Sequence, residues 1–162
     1  MLARASLAAI GCVLVLTAPG CTRNVDLATA LQVTDVSTGW FDSGIVNGQN
    51  KLVPSVTFRL KNGSGDRLRG VQLNTLFMLL PENEEWDATL TQGVLGDGLA
   101  AGASTAPITV RGKVGFTSPQ PRAEMLQHRL FKDVDVRIFA KYGSSQLVRL
   151  GEYRIARHLL TR

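Results

Sequence analysis

From Val56 to Leu60 the chain reads V-T-F-R-L, with Val56, Phe58 and Leu60 alternating with Thr57 and Arg59. A repeat of two residues places every apolar side chain on one face of an extended strand. A helix, with its longer period, cannot separate them in this way. The alternation returns between Arg69 and Leu80, where Val71, Leu73, Thr75 and Phe77 precede Met78-Leu79-Leu80. It returns again at Asp133 to Lys141, with Val134, Val136, Ile138 and Ala140 inward and Asp133, Asp135 and Arg137 outward. Ala28 to Val36, Val53 to Leu60, Trp86 to Leu90, Ala106 to Phe116 and Leu147 to Ile155 complete the predicted strands. Turn-forming residues separate them: Lys61-Asn62-Gly63-Ser64-Gly65-Asp66, the Gly- and Ala-rich Gly93 to Ser104, Tyr142-Gly143-Ser144-Ser145, and the turn-rich Asp42 to Lys51. One segment, Pro121 to Phe131, has helical spacing, with Pro121 in a first turn where a missing N–H costs nothing. About seven strands and one short helix predict an all-β antiparallel sandwich. Phe58, Leu73, Val136 and Ile138 are expected between its sheets.

The amino terminus obeys different rules. Arg4 supplies a short positive region, and Leu7 to Leu16 is apolar or small throughout except for Gly11 and Cys12. Such a run is too short to span a bilayer, which needs about 20 apolar residues, and its order is that of a secretory leader. It closes with Ala18-Pro19-Gly20-Cys21. Here A-P-G-C resembles the bacterial lipobox, with Gly20 and Cys21 matching, Ala18 in place of the usual Leu, and Pro19 unusual at its position. Ordinary signal-peptidase cleavage after Gly20 is the other route, and both make Cys21 the first mature residue. Cys12 departs with the leader, so Cys21 remains as a lone thiol in an oxidising compartment. A thioether to diacylglycerol removes that liability, and several acyl chains anchor stably where one does not. The expected division is therefore a leader at 1–20, a lipidated cysteine and short tether at 21–28, and a sandwich at 29–162. Thr22, and not Asp, follows the cysteine, which by analogy with enteric sorting allows the outer membrane.

The whole chain has a formal charge of +5, too mild for a nucleic-acid surface, and an exported chain has little occasion to meet nucleic acid. The charges are unevenly placed. Glu82, Glu84, Glu85, Asp87 and Asp97 have no Lys or Arg among them, whereas nine basic and four acidic residues follow from Arg122 onward. No Gly-x-Ser-x-Gly elbow or Walker lysine is present, and His128 and His158 have no second ligand at metal spacing. Asp133 and Asp135 share a strand face, but Lys132 and Arg137 compete with any cation. No cofactor, metal or catalytic residue is expected. Trp86, within an acidic loop beside Glu84 and Glu85, is the expected contact anchor, because aromatic side chains on charged loops supply apolar area on docking. Trp40 is a second candidate, on an expected loop before Asp42, or else a rim residue closing the core. The basic tail from Arg154 to Arg162 either lies on anionic headgroups or ends the last strand with Leu159 and Leu160 packed.

The run V-P-S-V-T-F-R-L-K-N-G-S-G-D-R-L-R-G-V-Q-L, Val53 to Leu73, resembles the small Ig-like or fibronectin-like domains of bacterial envelope lipoproteins, the FxLYD-type group among them. The likeness covers roughly Val53 to Tyr153. The F-x-L-Y-D signature itself is absent, and Leu76-Phe77-Met78-Leu79 occupies the corresponding strand. The resemblance implies an Ig-like sandwich whose strand-end loops carry contacts. The expected protein is a membrane-anchored accessory subunit facing the periplasm, binding another envelope protein without catalysis. The competing expectation is a carrier of lipid or a small hydrophobic ligand, with a pocket opened between the sheets.

Overall fold

The computed structural model describes residues 26–160; the expected leader, Cys21 and the tether up to residue 25 lie outside the described residues. The described chain opens with Asp26, whose carboxylate accepts the Ala28 N–H at 3.0 Å and caps the single turn α1 (Leu27–Ala30). Then follow β1 (Leu31–Val46), β2 (Gln49–Asn62), β3 (Val71–Leu79), β4 (Glu84–Val94), β5 (Ile108–Arg111), β6 (Phe116–Ser118), the single turn α2 (Arg122–Met125), β7 (Val134–Tyr142) and β8 (Val148–Arg154).

The strands form two antiparallel sheets. One has the order β1-β2-β5, with β6 also pairing β2; the other has the order β4-β3-β7-β8. The chain crosses between sheets after β2, β4 and β6, which is Ig-like sandwich logic. The inward faces are the ones the alternation marks. Phe58, Leu60, Leu73, Phe77, Val136 and Ile138 have no exposed area. These side chains fill the centre between the sheets, while a groove of about 430 Å³ opens where the edges of β4 and β5 face each other, lined by Val94, Leu95, Leu99, Pro107 and Ile108 among others.

Local details depart from the sequence expectations for physical reasons. The turn-rich segment Asp42 to Lys51 is mostly strand: β1 and β2 meet at Asn47-Gly48, whose φ angles of 52° and 76° suit a two-residue hairpin. The strand expected over Ala106 to Phe116 is two, β5 and β6, because the backbone folds tightly against β2 between them. A Cβ on Gly115 would lie 2.2 Å from the Leu52 carbonyl oxygen. Gly115→Ala is expected to cost about 1–3 kcal/mol, the usual penalty of overpacking, read as a lower denaturation midpoint. The expected helix over Pro121 to Phe131 is helical only at α2, and turns carry the chain onward.

The C-terminal tail packs as a strap along β1. Trp40 N–H donates to the His158 carbonyl at 2.8 Å, and Leu160 N–H donates to the Trp40 carbonyl at 2.9 Å. Gly39 makes room for it, since a Cβ there would meet Leu160 Cδ2 at 2.7 Å. Leu159 and Leu160 are half-buried, so they pack as the second alternative expected, but the tail does not end the last strand: β8 stops at Arg154 and the segment beyond it lies against β1. The strap covers part of the β1 edge, which would otherwise offer unpaired backbone groups.

Candidate functional site

The two ends of the sandwich differ. At one, α1 joins the loops after β2, β4 and β7: Gly63 N–H donates to the Ala30 carbonyl at 2.8 Å, and Leu68 and Leu99 exchange backbone hydrogen bonds at 3.0 and 2.7 Å. The opposite end gathers the β1–β2 and β3–β4 hairpins, β6 and the segment between α2 and β7. There a recess of about 190 Å³ opens among Trp40, Leu79, Trp86, Phe116, Leu130 and Lys132.

Its base is an aromatic cluster. The Trp40 and Phe131 rings meet edge to face with centroids 4.4 Å apart, and Phe116 meets Phe131 in the same manner at 5.2 Å. Trp86 leans toward Trp40 at 6.3 Å. These are distances at which aromatic pairs attract beyond simple burial. Arg157 secures the wall behind them. Its guanidinium donates to Asp133 at 2.6 Å and to the Leu126 and Phe131 carbonyls at 3.0 and 3.3 Å, and lies 5.2 Å from the Phe131 ring centroid. Leu130 projects beside the opening with 66% of its surface exposed. Among the described residues that line it, Lys132 alone is charged, and it donates to Glu82 at 2.7 Å. That hydrogen bond holds the Glu82 carboxyl below its usual pKa. An apolar recess with a neutralised ion pair at its mouth can bind an apolar group.

The expected contact residues fall differently from their reading as a loop. Trp86 lies on β4, not in a loop, and is half-buried against the core. Trp40 lies on β1 and is 1% exposed, so it is the floor of the recess and not itself a docking surface. Edge strands account for both errors. β1 and β4 each border their sheet, and β1 carries register shifts near Thr34 and Asp42, so polar and Gly residues within them imitate loops. Glu84 and Glu85 are exposed at the start of β4, beside the recess but outside its lining. Asp87, further along the acidic run, is committed locally: it accepts the N–H groups of Lys113 and Val114, pinning the β5–β6 turn. Phe116, Leu130 and Phe131 escaped the sequence reading because nothing in their spacing connects them to residues 40 or 86.

The other carboxylate pair is structural. Asp135 pairs with Arg154, and Asp133 with Arg157 and Arg154, while Arg137 pairs instead with Glu152. Among the described residues, no group of three or more His, Cys, Asp or Glu is placed to hold a metal ion. Nor is any described helix long and apolar enough to cross a membrane.

No protein-family model matches the chain, and no curated protein matches its sequence. Among solved structures it is similar to a calcium-binding mutant of β-glucuronidase 2 from Bacteroides uniformis, with 12% identity and a TM-score of 0.46 over 76% of this chain. The chain spans only 13% of that enzyme's length. A structural-genomics target is 13% identical, with a TM-score of 0.46 over 81% of this chain and 89% of its own. The Bordetella pertussis protein designated ApaA is 18% identical, with a TM-score of 0.44 over 78% of this chain and 93% of its own. These likenesses are to β-rich folds, and the assignment of the present chain as an Ig-like sandwich rests on its own strand pairing.

Proposed function

We propose that this chain is a lipid-anchored, non-catalytic binding subunit of the bacterial cell envelope, facing the periplasm, whose aromatic recess receives an apolar side chain of a protein partner. The leader, the A-P-G-C stretch and the lone mature cysteine support the anchor. The observation that carries the binding role is the recess itself: Trp86, Phe116 and Leu130 stand partly or largely exposed over a buried aromatic floor. Unspent apolar surface of this kind over a rigid aromatic floor marks a docking point. Its setting selects the partner's chemistry. Glu84 and Glu85 stand exposed beside the recess, and Lys132 is already paired with Glu82, so an apolar residue flanked by Lys or Arg fits best.

Leu130→Ser is the discriminating variant. Leu130 is 66% exposed, so its truncation should leave the melting curve unchanged while strongly reducing recovery of the partner from detergent extracts. Trp86→Ala should reduce recovery as well, and because the ring packs on the core it should also lower the melting temperature. Glu84→Gln with Glu85→Gln should weaken recovery chiefly at low salt, where screening is least. Undiminished recovery with Leu130→Ser and Trp86→Ala would remove the recess as the docking point.

A further inference from the structure

We propose that the end of the sandwich opposite the recess is a membrane-contact face that rests on an anionic lipid surface. This rests on the anchoring of Cys21 proposed above. Four residues separate Cys21 from Asp26, and the five Cα steps between the two reach at most about 18 Å when fully extended. An acylated Cys21 therefore holds α1, and the loops gathered around it, within that distance of the headgroups. The recess faces the other way.

The loops at this end carry the side chains such a placement calls for. Leu95, in the turn after β4, is 65% exposed, and Leu147, in the β7–β8 hairpin, is 51% exposed. Both occupy connecting segments where packing within the domain gives no reason for a large apolar residue. Between them in the fold lies the loop from β2 to β3: Leu68 pairs with Leu99 on one side, and β3 begins at Val71 opposite Tyr142 on the other. That loop exposes Arg67 and Arg69, with Lys61 at the end of β2 and Lys141 near the hairpin. The acidic residues of this end are Asp26, Asp66 and Asp97. The Asp26 side chain is engaged as the α1 cap, and Arg67 lies against the Asp97 loop, donating to its backbone carbonyl at 3.1 Å, and the four cations of this end outnumber its three carboxylates by one. Apolar tips that enter the headgroup boundary, with cations alongside, are how a folded domain settles on an anionic bilayer. Contact at this end would aim the recess into the periplasm and limit the domain's swing on its tether.

The test uses the full chain purified from membranes and reconstituted into vesicles of phosphatidylglycerol and phosphatidylcholine. With Cys21 acylated, Leu95→Cys, Leu147→Cys and, at the far end, Val46→Cys each provide a single thiol for an environment-sensitive dye. Brominated lipid should quench the dye at 95 and 147 several-fold more than at 46. Equal quenching at all three positions overturns the proposal. Failure of the anchor reads differently, as a Cys21 without acyl groups and a chain that stays soluble. In that event the Cys21→Ser chain added to the same vesicles decides the face by itself. Sedimentation with anionic vesicles, lost when Leu95→Ser and Leu147→Ser are combined, supports it, and no sedimentation overturns it.

Discussion

Phe58→Ala is expected to cost about 3–5 kcal/mol of folding stability, and Ile138→Ala about 2–5 kcal/mol. The two side chains come from β2 and β7, in opposite sheets, and both are fully buried. Each truncation removes apolar contact and leaves a cavity that strands paired on both sides cannot collapse to fill. β2 is held between β1 and β5, and β7 between β3 and β8, so neither backbone can shift without breaking a ladder. A domain of this size has only about 5–15 kcal/mol in total, so either variant takes a large share of it. Chemical denaturation checks this through a lowered midpoint at unchanged slope. Midpoints close to the parent's for both would mean that these faces are not packed as described.

Cys21→Ser is expected to move the protein from the membrane fraction to the soluble periplasmic fraction and to abolish acyl labelling. The effect should be close to complete, because no described helix can span a bilayer and the proposed anchor places the stable hold in multiple acyl chains at one cysteine. The membrane-contact face proposed at the α1 end is too small to replace them, though it should leave a weak, salt-sensitive association. Membrane retention equal to the parent's, with no acyl group on the parent, would overturn the anchor. The folded domain should be indifferent to the change, so the Cys21→Ser melting curve should overlay that of the parent after detergent removal.

The recess and the contact face together give the domain a direction. Among the described residues the chain runs from α1 through β1 to Trp40 and onward to Val46, so the aromatic end lies a strand's length from α1. The strap from Ala156 to Leu160 returns along β1 and ends at Trp40, which ties the floor of the recess to the C-terminal segment. Arg157 adds the second tie, from that strap to the Leu126–Phe131 wall. The recess is thus built on braced elements, as a site that must hold its shape requires.

The inward faces of the central strands were legible in the sequence. β2, β3 and β7 have partners on both sides and a core on one face, so period-two alternation is enforced along them, and Phe58, Leu73, Val136 and Ile138 follow from it. The all-β class and the turns at Asn62 to Asp66 and Tyr142 to Ser145 follow from the same local chemistry. The expected leader and Cys21 lie outside the described residues and rest on the sequence alone. The edge strands were not legible. One side of β4 faces solvent, so it tolerates Glu84 and Glu85 and looks like a loop, and β1 bends through shifts in register around Gly44. Only the tertiary structure decided that Trp40 is a floor and Trp86 a wall. The recess draws Trp40, Leu79, Trp86, Phe116 and Leu130 from β1, β3, β4, β6 and the segment after α2. Local periodicity reports which face of its own strand a residue occupies. It carries no information about which distant strands will be brought to the same end, because that is settled by how the two sheets pair and pack.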